Sequence, residues 1–444
     1  MSTFTDAVTD DGDSSDSDAA EMFPAVTDAL SVVTKPHEYA RDWKRRHDAP
    51  VVAYLSTYVP REILWASGVL PVRAFGSRRP EDVTVGDEHH NRRLFCPFSR
   101  DVLAQGLLGR YDYTDGIVLA SVCLHLRQTF DAWVQEVASE EDFTHYIAMP
   151  HGTPAETGDE FLPVKRHGVD YASAPDGGTC PHAPAAYLTT KFDRLRAELE
   201  SFTGAPLTDD DLEAAINVYD RSRKLLRDIY AYRAEPEPRL SGTDATALVT
   251  AGQLMDPHEY VDVLESALAQ LEDGAGEPRA VDARLMVVTA VGDDRTLYRT
   301  VERELEYDAT IVVEDSSVGT TDFYRPVSEP SRGPPAKDDD PLKAIARRYL
   351  DRPPYPSKQW DNRREHLRSL VSEYDVDGVL IVLEERCDIH LRDIPHETNL
   401  FEEELDVPTL TVVAEKGRVP PGQLKTRVEA FVEEITTPSM EGLY

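Results

Sequence analysis

Apolar runs of strand length alternate with amphipathic runs of helical length through most of the chain, and the alternation occurs in two series. In the first, "VVAYLSTYV", "PVRAFG", "DGIVLAS" and "THYIAMP" read as extended, while "PREILWASGVL", opened by Pro60, "RDVLAQGLLG" and "LRQTFDAWVQEV" read as helices. In the second, "RLMVVTAV", "ATIVVED", "DGVLIVLEE" and "PTLTVVA" are strand-like. They are separated by helical stretches and closed by "PGQLKTRVEAFVEEI", which places Leu424, Val428, Phe431, Val432 and Ile435 on one face. Strands that alternate with helices predict a parallel sheet. Between the two series Thr208 opens a capping-box-like helix start, and Leu212, Ile216, Tyr219, Leu226 and Ile229 follow near helical spacing.

The pattern predicts an α/β protein with two similar parallel-sheet halves facing a cleft and a helical connector between them. The expected divisions are a disordered acidic tail over 1–35, a first α/β domain over 36–200, the connector over 201–275 and a second α/β domain over 281–444. Residues 151–187, rich in Gly, Pro, His and Ala, read as a long loop.

Composition narrows the function classes. Asp and Glu outnumber Lys and Arg by 82 to 47, a formal charge of −35, and the acids are spread along the chain. Nucleic acid and anionic membrane both need clustered positive charge, so neither is expected as a partner. The acidity suits the solvated surface of a protein adapted to high salt. No leader-like or membrane-length apolar run is visible, so a soluble, cytoplasmic protein is expected, without disulfides. A phosphate-binding P-loop, HExxH, GxSxG and GxGxxG after a strand are all missing, which removes the usual signals of nucleotide hydrolysis, zinc peptidase and serine hydrolase chemistry.

One pattern is written twice. Residues 111–127 read "YDYTDGIVLASVCLHLR" and residues 374–393 read "YDVDGVLIVLEERCDIHLRD", so an Asp-Gly, an apolar run, a cysteine and His-Leu-Arg recur in order. Each cysteine, Cys123 and Cys387, falls at or just past the carboxyl end of a strand, the edge at which open parallel sheets bind ligands. Cys96 sits before Pro97 at a predicted helix start, where backbone N–H groups and the helix dipole favour a thiolate. A single cysteine beside a strand is most often a small buried hydrophobe. Three that approach one cleft are suited to an iron–sulfur cluster with one iron left open, and zinc, with His125 and His390 as nitrogen donors, is the competing metal. Cys180, in "GGTCPHAP", reads as a loop thiol outside the site.

"AYLSTYVPREILWASGVLPVRAFG" resembles the N-terminal signature of the 2-hydroxyacyl-CoA dehydratase and benzoyl-CoA reductase family, and the likeness continues through "CPFSRDVL", "DGIVLASVCLHLRQTFDAW", "DGVLIVLEERC" and "GQLKTRVEAFVE". The resemblance implies two Rossmann-like parallel-sheet domains with helical additions and a 4Fe-4S cluster held by Cys96, Cys123 and Cys387. It further implies a related partner subunit or second copy, a separate ATP-hydrolysing iron–sulfur activator, and an acyl-CoA substrate that reacts through a ketyl radical or by ring reduction. It also implies that the family includes subunits whose cluster only relays electrons. Glu62 occupies the carboxylate place of the family's Tyr-Val-Pro-Glu-Glu-like stretch, with Arg61 where the first Glu often stands. Glu62 is the expected proton-moving group, with Ser56, Tyr58 and His125 lining the same pocket. The alternative for Glu62 is a carboxylate that stabilises a helix start. Arg73, Arg92, Arg93 and Arg100 lie near the first cysteine and would suit the phosphates of CoA. A metal-free or zinc-stabilised binding protein on the same scaffold is the reading from another class.

Overall fold

Eight strands form among the described residues of the computed structural model, which are 24–88, 94–150, 184–276, 278–329, 340–352, 360–415 and 419–437. They are β1 (Val51–Leu55), β2 (Leu70–Arg73), β3 (Gly116–Ala120), β4 (Phe143–Ile147), β5 (Ala283–Thr289), β6 (Ala309–Asp315), β7 (Gly378–Glu384) and β8 (Thr409–Ala414). Two four-stranded sheets result, ordered β2-β1-β3-β4 and β6-β5-β7-β8, with every pairing parallel. The fold is therefore α/β with two parallel sheets. The sheets share one strand order, and in each the order reverses between the first and third strands, the point where ligands bind in open α/β sheets.

Strand alternation divides the core into three. Val51, Ala53, Leu55, Ile117 and Leu119 of the first sheet pack in one cluster with Met286, Val288, Val379 and Ile381 of the second. Leu225, Leu226, Ile229 and Tyr230 of the helix Asp209–Ala234 belong to the same cluster, as do residues of the helices Gly242–Ala251 and Pro257–Glu272. The opposite faces, Val52, Tyr54 and Val118 in one sheet and Leu285, Val287 and Leu380 in the other, pack in clusters of their own. Burial on both faces explains why these strands read as continuous apolar runs.

The repeated Asp-Gly has a physical reason. Asp115 accepts the Val51 N–H at 2.9 Å through its carboxylate, while its own N–H donates to the Val51 carbonyl at 2.7 Å. Asp377 does the same with Arg284, at 2.8 Å in both directions. In each sheet this aspartate fixes where the third strand meets the first. The glycines that follow have no room for a side chain: a Cβ on Gly116 would fall 2.2 Å from the Phe143 carbonyl oxygen, and one on Gly378 would fall 2.9 Å from the Phe431 ring. Gly116→Ala is expected to cost about 1–3 kcal/mol of stability as an overpacking change. Gly378→Ala should cost less, because a ring yields where a backbone carbonyl cannot. Thermal melts of the two variants side by side check the order.

Two elements differ from the expected divisions. A helix at Pro24–Thr34 lies inside the stretch expected to be a disordered tail, and it buries Ala25, Val26, Ala29 and Val32 against the central cluster. Residues 1–23 lie outside the described residues. The helix Pro341–Asp351, assigned by sequence order to the second domain, places Leu342, Ile345, Ala346 and Tyr349 in the cluster that covers the first sheet. Among the described residues no helix is long and apolar enough to cross a membrane.

Candidate functional site

Three cysteines occupy the same kind of position. Cys96 is the N-cap of the helix Pro97–Leu107, Cys123 of Leu124–Glu136, and Cys387 of Asp388–Thr398. Pro97 at the first helical position fixes one of these starts, since proline's missing N–H costs nothing there. Each sulfur therefore stands at the positive end of a helix dipole, and Cys123 Sγ accepts the Leu126 N–H at 3.3 Å. All three line one pocket, whose empty volume is about 760 Å³ including its mouth to solvent.

The pocket lies where both sheets reverse their strand order. Ser56 follows β1, Cys123 follows β3, Ala290 and Val291 follow β5, and Glu384 and Cys387 end and follow β7. Its wall is otherwise largely apolar, with Phe98, Val122, Leu126 and Ile389. Two non-glycine residues here hold positive φ, Ser56 at 82° and Arg386 at 63°. Such backbone is retained where the surroundings impose it and concentrates at working sites.

Of Glu62, the expected proton-moving group, and the three residues expected to line its pocket, Ser56 and Tyr58 line the pocket of the cysteines, and Glu62 and His125 are not among its lining residues. His125 joins the cysteine segments: its Nδ1 accepts the Cys96 N–H at 3.3 Å, its ring meets Phe95 at 5.1 Å, and its Nε2 lies 3.8 Å from Asp388. With Nδ1 accepting, the neutral ring carries its proton on Nε2. Burial lowers the His125 pKa against the opposing pull of Asp388, which favours that neutral form. Glu62 is fully buried and ion-paired with Arg223, and it accepts the Tyr349 hydroxyl at 2.9 Å. Burial alone would raise its pKa, but Arg223 and Arg348 bring it down to about 2. A group ionised below its unfolded value stabilises the fold above that value, and the contribution is lost as pH falls through the folded pKa. The stability difference between wild type and Glu62→Gln is therefore expected to be about 3 kcal/mol near pH 6. It should shrink steadily between pH 4.5 and about 2. Denaturant titrations across that range measure it.

Cys180 lies outside the described residues, as do Arg92 and Arg93. Arg100 is buried and paired with Asp87 at 2.6 Å, and Arg73 is buried and donates to Gln253 at 2.5 Å and to the Ser317 carbonyl at 2.9 Å. The two described arginines of the supposed phosphate patch are thus committed inside the protein, a correction to the sequence reading. At the end of β6, Glu314 pairs with Arg233 at 2.8 Å and Asp315 with Arg363 at 2.7 Å.

Sequence reasoning missed two charged members of the pocket. Arg352, next after the helix Pro341–Asp351, donates to the Thr321 carbonyl at 2.9 Å and had no local pattern to reveal it. Glu384 was legible as an acid at the last position of an apolar strand, three residues before a cysteine.

The thiols are held protonated by their surroundings. Burial raises all three, pushing Cys123 up to about 12, and like-charge repulsion from Cys96 adds to it at Cys123 and Cys387. Three sulfurs that disfavour one another's ionisation become thiolates together only around a positive group.

The profile of the family described as 2-hydroxyglutaryl-CoA dehydratase, D-component, matches residues 56–435. The chain belongs to that family. The D-component match begins at Ser56 and takes in the lining residues through Cys387 and Ile389. Similar proteins include a benzoyl-CoA reductase subunit from Thauera aromatica, 24% identical over 80% of this chain and 83% of its own length. The (R)-phenyllactyl-CoA dehydratase beta subunit of Clostridium sporogenes is 21% identical over 92% and 98%. The beta subunit of (R)-2-hydroxyglutaryl-CoA dehydratase from Acidaminococcus fermentans is 20% identical over 86% and 92%.

Proposed function

We propose that the protein is an enzyme subunit of the acyl-CoA dehydratase and benzoyl-CoA reductase type, and that Cys96, Cys123 and Cys387 hold a 4Fe-4S cluster with one iron open to the pocket. The observation that carries the reading is the meeting of three helix-capping cysteines, from both sheets, on one largely apolar pocket. The donor set fits: one buried and two half-buried thiols, all raised in pKa, need a shared cation to ionise together. Among the described residues no group of three or more His, Cys, Asp or Glu side chains is placed to hold a metal ion.

When bound, such a cluster supplies one low-potential electron to the thioester of an acyl-CoA. The chain's own part is to keep water from that site with Phe98, Val122, Leu126, Val291 and Ile389, and to offer the Ser56 and Tyr58 hydroxyls at the wall. The relatives' names are those of subunits, which supports a related partner chain. An ATP-dependent iron–sulfur activator as electron donor belongs to the same proposal.

A second reading, a subunit whose cluster relays electrons without a substrate of its own, is favoured by one observation. The pocket's cations, Arg73 and Arg352, are already engaged with protein groups rather than offered to CoA phosphates. Paramagnetic resonance of the anaerobically reduced protein, with and without acyl-CoA esters, separates the two. A signal that shifts on ester addition supports the substrate-binding subunit. A cluster signal that no ester moves supports the relay, and iron-free protein overturns both.

A further inference from the structure

We propose that the outer edge of β8 is a dimerisation surface, pairing antiparallel, about a two-fold axis, with the β8 edge of a second copy of this chain. The proposal is independent of what the three cysteines hold.

Four strands end the two sheets, β2 and β4 in the first and β6 and β8 in the second. An open strand edge is a template for another chain, and folded proteins blunt it by burial, charge or cover. β2 and β6 are buried along their whole length. β4 has the Arg127 guanidinium 3.9 Å from the centre of its Tyr146 ring, and its His145 pairs with Glu198 of the helix Pro184–Thr203. β8 is the least guarded. Its sequence, "TLTVVA", has no charge, proline or glycine in a chain of which 29% is charged, and Val413 is 40% exposed. Among the described residues β7 is its only strand partner.

The hydrogen bonds say which residues face out. The Val379 N–H donates to the Pro408 carbonyl and the Glu385 N–H to the Ala414 carbonyl, both at 3.0 Å, so 408, 410, 412 and 414 turn their main chain toward β7. Thr409, Thr411 and Val413 therefore present N–H and C=O away from the sheet. From that side Arg427 of the helix Pro421–Thr436 donates to the Thr411 carbonyl at 2.8 Å, an exposed bond that uses no N–H of the strand. An antiparallel copy centred on Thr411 sets Thr411 against itself and Thr409 against Val413 on either side. Each facing pair exchanges two main-chain bonds, about six in all. Pairs of β-branched side chains suit such neighbours. Symmetry and charge name the occupant. An edge centred on one residue is complementary to itself, and on an uncharged strip two copies, each at −35, meet without setting acid against acid.

The test is sedimentation velocity and native mass spectrometry of the anaerobically purified full chain, with any partner that co-purifies, over a range of concentrations. Assemblies that hold two copies of this chain are expected. Added salt should tighten them, because β8 brings no charge and the acidic copies repel less when screened. Thr411→Pro removes an outward N–H and no bond to β7, so the circular dichroism should stay while the dimer dissociation constant rises about 10- to 100-fold, the effect of two lost hydrogen bonds. Val413→Lys, at a side chain already exposed, should do the same by placing charge on the edge. One copy per assembly at every concentration, dimers that survive both variants, or dimers that salt dissolves would each overturn the proposal. Loss of a different, co-purifying chain in the two variants, with the second copy retained, would overturn the second copy as the occupant of this edge.

Discussion

Replacing Cys96, Cys123 or Cys387 with alanine is expected to remove the bound iron and sulfide, from about four of each per chain to a small residue, and to abolish activity. Each cysteine caps a different helix and faces the same pocket, so none can stand in for another. Loss of one ligand also leaves the remaining thiols in a buried site that favours their protonated forms, which lowers affinity further. Cys180→Ala is the control and should keep its full complement. Iron and acid-labile sulfide analysis after anaerobic purification at high salt, with the visible absorption spectrum beside it, decides the matter. Retention of full iron in any of the three variants would overturn the assignment of that ligand, and zinc in place of iron would return the metal question to the nitrogen donors.

The second large effect is on stability. Arg363 is fully buried on the helix Trp360–Glu373 and bridges two fully buried carboxylates, Asp315 at 2.7 Å and Glu397 at 2.6 Å. His366 adds a 3.2 Å contact to Asp315, and His390 a 3.3 Å contact to Glu397. Burial alone would raise the Asp315 pKa, but Arg363 and His366 hold it at about 2. Arg363→Met would strand two negative charges in the core, and breaking a buried pair by removing one partner costs about 3–5 kcal/mol. A fall of about 3–5 °C in the melting midpoint is expected. Adding Asp315→Asn and Glu397→Gln should recover part of it, since the penalty lies in uncompensated charge rather than lost volume. A triple variant no more stable than Arg363→Met would show that packing, not charge, was lost. Glu397 shares a helix with the Cys387 N-cap, so the double reading of stability and iron content also shows whether this network holds that helix start in place.

Much of this was legible in the chain. Strands buried on both faces announce themselves as apolar runs, and the doubled Asp-Gly and cysteine pattern pointed to two sheets of one design because it marks the third strand of each. The helix-capping place of Cys96 was readable from the proline behind it. What was not legible depends on pairing across long sequence separations. Arg73 and Arg100 looked like free cations beside a cysteine, but their partners, Gln253 and Asp87, follow no local period. The place of Glu62 in the first turn of a helix was readable, yet its partner Arg223 is 161 residues away. The helix Pro341–Asp351 has an ordinary amphipathic pattern, and nothing in it states which sheet it covers. The helix Pro24–Thr34 was hidden by the polar run before it, although its small apolar residues pack in the central cluster.

The long helix Asp209–Ala234 sets a gauge. Arg223 reaches Glu62 in the first unit, while Tyr230 and Arg233 reach Glu314 in the second. Ten residues separate the two arginines, so these anchorages stand about 15 Å apart along a rigid rod. Deleting one residue between them would turn one anchor by about 100° relative to the other, and no side-chain adjustment could keep both. The width of the seam on which the cysteines meet is therefore dictated by helical rise, a length written into the chain as a number of residues.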